Sequence, residues 1–202
     1  MEKKFKNKYR ILSNRLRGWD YSSNGHYFIT IVTAYRENLF GEITNGEMIL
    51  NDIGKIIETE FFKSFEIRKE LYLGPFVIMP NHLHAIIILD NPYDGSYNVE
   101  TYGKIGKTHG RDVETHGRAS LHQFIRRPKS ISSFVAGFKS SSVNRINEWM
   151  DLKGLYAGKF NRTNPLWQAN YHDHIIRNKK EYQNIALYIE NNPTNWEKDS
   201  LK

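Results

Sequence analysis

Cysteine is absent from this chain, which removes disulfide scaffolds, thiolate metal sites and cysteine nucleophiles together. Histidine, carboxylate and amide groups remain as the available metal ligands. Long apolar runs are missing as well: the two longest are Phe76-Val77-Ile78-Met79 and Ala85-Ile86-Ile87-Ile88-Leu89, far short of the ~18 residues that a membrane span needs. No membrane partner is therefore expected. The basic amino-terminal stretch lacks the apolar centre of a secretory signal, so a reducing, cytoplasmic setting is expected. Acidic residues are in deficit, with 22 Asp and Glu against 29 Lys and Arg, a formal charge of +7. That excess is the electrostatic footprint of a nucleic-acid binder, though other basic soluble proteins share it.

What the chain does have is enough to fold. Hydrophobic residues make up 39% and aromatics 13%, too rich for a disordered polymer. At roughly one domain per 150 residues, 202 residues make one sizeable domain with attachments. Residues 1–24 carry Lys3, Lys4, Lys6, Lys8, Arg10, Arg15 and Arg17 against Glu2 and Asp20, a cationic arm that leads into a Ser22-Ser23-Asn24-Gly25 turn. Residues 25–202 form the single folded unit. His26–Thr33 is rich in aromatic and β-branched residues and is expected as a strand, followed by a short strand over Leu39–Ile43 and an Asn45-Gly46 turn. From Asn51 or Asp52, apolar residues at Ile53, Ile56, Ile57, Phe61 and Phe65 recur at helical spacing.

Phe76–Met79 and His82–Leu89 follow as two central strands joined at Pro80-Asn81. Residues 91–130 then turn rich in Gly, Tyr, Asn and Thr and hold a near repeat, Thr108-His109-Gly110-Arg111 and Thr115-His116-Gly117-Arg118, expected as a variable loop insertion. Ile131, Val135, Phe138, Ser142, Ile146 and Trp149 mark the apolar face of a second helix, whose other face carries Lys139 and Arg145. A final strand over Tyr171–Ile176 leads to a last helix, capped by Asn178, running to about Asn192 and stopped by Pro193. This order contains the βαββαβ pattern of a ferredoxin-like α+β fold: an antiparallel sheet with helices on one face and an extra helix at the carboxyl end.

Two places could carry chemistry. His82 and His84 are separated by one residue in an expected strand, so both imidazoles leave the same face, with Leu83, Ala85 and Ile87 on the other. Such a pair is either half of a divalent metal site or, as the spacing alone favours, two rings hydrogen-bonded in a polar patch. Tyr188 and Asn192 are four apart and share one side of the last helix, where the tyrosine could also be a packing residue beside Ile185 and Ile189. A metal hydrolase using the His pair with a carboxylate such as Asp173 fits the spacing too.

Taken together, Arg17-Gly18-Trp19-Asp20-Tyr21-Ser22, Gly25-His26-Tyr27-Phe28-Ile29-Thr30, Arg36-Glu37-Asn38-Leu39-Phe40-Gly41, Met79-Pro80-Asn81-His82-Leu83-His84 and Tyr188-Ile189-Glu190-Asn191-Asn192-Pro193 stand in a familiar order and spacing. In these motifs the chain resembles the REP-associated tyrosine transposases, a branch of the single-tyrosine HUH transposases related to insertion-sequence enzymes, from about Arg15 to Leu201. The resemblance implies a ferredoxin-like domain with His82, His84 and Asn192 as ligands of Mg²⁺ or Mn²⁺ and Tyr188, on the carboxyl-terminal helix, as nucleophile. It also implies cleavage and rejoining of one DNA strand through a 5′-phosphotyrosine, on single-stranded or hairpin DNA of the REP kind, in a cytoplasmic, nucleoid-associated enzyme expected as a monomer, with a dimer as the alternative. A hairpin-binding protein of the same fold that does not cut is the alternative. Phosphate contacts are expected from Arg10, Arg15, Arg17, Lys139, Arg145, Arg177, Lys179 and Lys180, and base stacking from Trp167, Tyr171 or Tyr21.

Overall fold

In a computed structural model the described residues are 4–5, 8–9, 16, 19–91 and 129–202, so most of the cationic arm and of the 91–130 insertion lie outside them. Within the arm, two-residue strands β1 (Lys4–Phe5) and β2 (Lys8–Tyr9) pair with each other. The main sheet is built from β3 (Gly25–Val32), β6 (Leu71–Ile78), β7 (His82–Leu89) and β8 (His172–Ile176), in the order β6-β7-β3-β8 with every neighbour antiparallel.

Alternation along these strands divides the sheet into two different faces. Tyr27, Ile29, Ile31, Leu83, Ala85 and Ile87 point to one side, where they join the buried core of α1 (Asp52–Ile67) and α2 (Ile131–Leu152). Phe61 meets Phe134 and Phe138 edge-on there, and all three are at most 1% exposed. Each such buried aromatic costs about 3–5 kcal/mol to truncate. Both helices begin on side-chain caps: the Asn51 side chain accepts from Gly54 N, and Ser130 forms a reciprocal capping box with Ser133. The opposite face receives α3 (Lys179–Glu190), whose Ile189 packs with Ile86 and Ile176, flanked by Phe28, Val77 and Ile185.

Two strands differ from expectation. The segment expected over 39–43 is β4 (Gly41–Thr44), and it joins β5 (Glu47–Leu50) in a separate hairpin outside the main sheet. Asn45 and Gly46 both take positive φ, 54° and 78°, giving the two-residue turn whose twist matches paired strands and so closes the hairpin on itself. Strand β6 is twice the expected length, because Gly74-Pro75 sits inside it at a register shift between Leu73 and Phe76. A proline is tolerated there since β6 is an edge strand and needs no donor on its outer side. Pro193 ends α3 but not the ordered chain, which continues as a 3₁₀ segment over Pro193–Lys198.

Candidate active site

Antiparallel register sets His82 opposite Val32 and His84 opposite Thr30, so both imidazoles leave the face that α3 covers. The rings lie 4.5 Å apart and are 0% and 3% exposed. Neighbouring groups fix which His82 nitrogen is free. The Asn81 amide donates through Nδ2 to the carbonyl oxygens of Arg36 (3.1 Å) and Leu201 (2.7 Å). Since carbonyls only accept, the other end of that amide must be the oxygen, and it lies 2.7 Å from His82 Nδ1. The proton is therefore on Nδ1, and Nε2 presents a lone pair to the site. His84 is held by Thr30, whose Oγ1 forms a hydrogen bond of 2.8 Å with its Nδ1.

Burial pushes the His82 imidazolium down to about 4, against the opposing pull of the Asp199 charge and the Asn192 side chain. His84 is pushed down to about 3 by burial and then by His82. Both rings are thus neutral near pH 7, the form in which a histidine can bind a cation.

Helix α3 brings the remaining groups. Asn178 starts it by accepting from Glu181 N, and regular helical geometry then carries Tyr188 to the sheet. The phenol oxygen is 3.2 Å from His84 Nε2, with its ring edge-on to Phe28 at 6.2 Å between centroids. Tyr188 remains 47% exposed. Burial and the nearby Asp199 charge raise its pKa above the ordinary tyrosine value, with Asn192 opposing, so it is a neutral phenol near pH 7. Just past the helix, Asn192 is 3% exposed and donates through Nδ2 to Asp199 Oδ2 at 3.2 Å.

Asp199 in turn accepts from Leu201 N and places Oδ2 3.7 Å from His82 Nε2. Ligand atoms of His82, His84 and Asp199 all fall within 4.8 Å of one another. Two buried atoms at this point, His82 Nε2 and Asn192 Oδ1, have no hydrogen-bond partner. Unmet groups of this kind cost about 1–3 kcal/mol each. A set of two imidazoles, an amide oxygen and a carboxylate suits a divalent cation, which would satisfy both orphaned atoms at once. These residues fit a metal ion.

The structure thus gathers His82, His84, Tyr188 and Asn192 and adds Asp199, which sequence reasoning missed. Its one sequence signal was Trp196, an aromatic past the last helix, which is 7% exposed and lies 6.1 Å from the His82 ring, pinning the tail to the site. Asp173 lies on the other side of the sheet: opposite Ile29, it shares the helix-packed face, so it cannot join the imidazoles as a ligand.

Two expected base-stacking residues are corrected, and one expected phosphate contact is found engaged within the protein. Trp167 is 6% exposed, packs on Phe40 and Phe138, and donates Nε1 to Ser142 Oγ, so it is a core residue with no face left for a base. Tyr171 is 8% exposed, with its hydroxyl 3.3 Å from that of Ser132. Lys139 spends its ammonium on the carbonyls of Gln168 and Asn170, tying α2 to the loop beyond it. Arg145 is exposed and pairs with Glu148 at 2.9 Å, while Tyr21 is half-buried and accepts from Leu16 N. Arg177, Lys179 and Lys180 stand exposed at the start of α3, and Arg10, Arg15 and Arg17 lie outside the described residues. Among the described residues no helix is long and apolar enough to cross a membrane.

A mixed α/β fold with a four-stranded antiparallel sheet and helices is similar to that of a solved REP-associated tyrosine transposase bound to a REP hairpin. The likeness has a TM-score of 0.52 at 19% identity, covering 92% of this chain and 74% of that one, and at such identity it is a likeness of fold. In sequence, the chain is 34% identical over 189 residues to an uncharacterized protein of Haemophilus influenzae, spanning 94% of this chain and 91% of that protein. The chain belongs to the same family as that protein. No family model matches it.

Proposed function

We propose that this chain is a metal-dependent single-tyrosine transposase that cuts and rejoins one strand of hairpin-bearing DNA. The observation that carries the proposal is the approach of the Tyr188 hydroxyl to His84 Nε2, 3.2 Å, beside two buried ligand atoms that have no partner. A structural tyrosine would not need those orphaned atoms next to it. Strand order β6-β7-β3-β8 and the tyrosine-bearing helix on the sheet face away from α1 and α2 support the ferredoxin-like reading.

His82, His84 and Asn192 would hold Mg²⁺ or Mn²⁺, with Asp199 alongside. Such an ion, when bound, supplies Lewis-acid stabilisation of charge on a phosphoryl oxygen. The protein's own part is positioning. Strand β7 fixes the two imidazoles, α3 fixes the phenol, and both converge on His84 Nε2. Attack by the Tyr188 oxygen forms a bond to phosphorus as the bond to the 3′ oxygen breaks, leaving a 5′-phosphotyrosine and a free 3′-hydroxyl. The phenolic proton leaves to solvent, which reaches this half-exposed side chain, and the departing 3′ oxygen takes a proton from that same solvent. Because the tyrosyl link retains the phosphodiester, a second 3′-hydroxyl can reverse the step without ATP.

In this reading residues 1–24 are a DNA-binding arm on a single catalytic unit, 25–202. Arg10, Arg15 and Arg17 together with Arg177, Lys179 and Lys180 meet phosphates, and the enzyme works as a monomer on nucleoid DNA in the cytoplasm. The test is end-labelled hairpin DNA incubated with the protein and Mn²⁺, then run on a denaturing gel. A covalent adduct that Tyr188→Phe abolishes while native-gel binding survives is the expected result. Binding without any adduct would leave only a DNA-binding protein.

A further inference from the structure

A cavity of about 580 Å³ opens between the first half of α3 and the edge strand β8, lined by Phe28, His174, Asn178, Lys180, Glu181 and Asn184. It lies within the size range of small-ligand sites. Register puts it on the same sheet face as the imidazoles, since Phe28 faces His174 across β3 and β8 and alternates in phase with Thr30, the partner of His84. Phe28 belongs to both places. Its ring stacks on His84 at 5.2 Å and 29°, meets Tyr188 edge-on, and also forms a wall of the cavity.

The polar side of the cavity is already ordered. Glu181 takes a hydrogen bond from His174 Nε2 at 2.6 Å and from the backbone N of Arg177 at 2.7 Å, and these two contacts, the backbone one first, hold its carboxyl below the usual range. Asn184 and Lys180 are exposed and make no side-chain hydrogen bond or ion pair among the described residues. An aromatic wall, a free amide and a free ammonium are the groups that receive a base face, a base edge and a phosphate.

We propose that this cavity binds one unpaired nucleobase of the strand whose phosphate is attacked by Tyr188, and that it sets the sequence preference at that position. This rests on the transesterification reading above. Phe28 stacks the base, Asn184 reads its edge, and Lys180 meets the next phosphate. Sharing one phenylalanine with His84 and Tyr188 commits the cavity to a nucleotide next to the cut rather than to a remote part of the hairpin.

The experiment uses the full chain with Mn²⁺ and hairpin DNA whose single-stranded flanks are randomised, with adducts trapped, recovered and sequenced. In the wild-type protein one position beside the cut should show a preference among the four bases, and an abasic residue there should lower adduct yield about tenfold. Asn184→Ala should flatten that preference about tenfold, read as the ratio between bases and so independent of total yield. Lys180→Ala should weaken adduct formation with a shallower dependence on salt. Thermal melts of both variants should match the wild type, since each side chain is on the surface. Adducts whose base ratios are the same in Asn184→Ala and wild type would overturn the cavity assignment. No adduct from any flank sequence would instead overturn the transesterification reading, and this inference with it.

Discussion

Replacing Asn81 separates the two tasks that its amide performs. Asn81 is 0% exposed; its oxygen takes the Nδ1 proton of His82, and its nitrogen serves the carbonyls of Arg36 and Leu201. Arg36 and its neighbour Tyr35 sit at φ 60° and 58°, a left-handed pair that costs about 1–3 kcal/mol per residue and that this contact helps to hold. In Asn81→Ala both tasks are lost. Two partly buried carbonyls without a donor cost on the order of 2–4 kcal/mol in total, and losing the hydrogen bond behind a metal-bound histidine weakens the metal by about 10–100-fold. Asn81→Asp differs in one respect. Its carboxylate still accepts from His82 Nδ1 but cannot donate to the carbonyls, so stability falls as far or further while Mn²⁺ affinity stays at or above the wild-type value. Calorimetric titration with Mn²⁺ and thermal melts in EDTA read the two quantities independently. Wild-type Mn²⁺ affinity in Asn81→Ala would refute the tautomer argument, and equal losses in both variants would show that affinity merely follows stability.

Other consequences can be measured with the same protein. Asp199→Asn removes the negative charge beside His82 Nε2 and should weaken Mn²⁺ by about tenfold, since ligand charge tunes such sites; unchanged titration would put Asp199 outside the metal's reach. Trp167→Ala should lower stability by about 3–5 kcal/mol, while folded protein at low temperature keeps its affinity for hairpin DNA; a selective loss of DNA binding would restore the base-stacking role. Metal-free protein should lose stability as the pH falls below 6.5. Unfolded chains protonate His82 and His84 near that value, whereas the folded protein keeps them neutral down to about 4 and 3, so the unfolded state holds more protons in between. Each histidine then contributes a slope of about 1.4 kcal/mol per pH unit, with Asp199 and Tyr188 the charged or titratable groups facing them. Saturating Mn²⁺ should raise the melting temperature but leave this slope near pH 6 unchanged, because the folded imidazoles are neutral there with or without the ion; a melting temperature constant from pH 7 to 4.5 in EDTA would show that the imidazoles are not desolvated as described.

How much of this was legible in the sequence depended on whether a residue stood in a periodic element. Alternation along β7 is enough to send His82 and His84 to one face, because an apolar set with period 2 leaves no second register in which Leu83, Ala85 and Ile87 stay buried. The four-residue spacing of Tyr188 and Asn192 likewise survives the end of α3, since Asn191 and Asn192 keep near-helical backbone angles. Outside such elements the local sequence is silent. Trp167 and Tyr171 sit in a polar segment with several asparagines that looks exposed, and only the packing of that segment over α2 makes them core; the same packing ties the partly exposed Lys139 to two carbonyls. Asp199 is the clearest instance. Its place is fixed by Trp196 against His82 and by the bond from Asn81 to Leu201, contacts 114 and 120 residues apart in the chain that no local pattern encodes. The two imidazoles come from a strand and could be read. The carboxylate comes from an aperiodic tail held by long-range contacts, and for that reason only the folded chain reveals it.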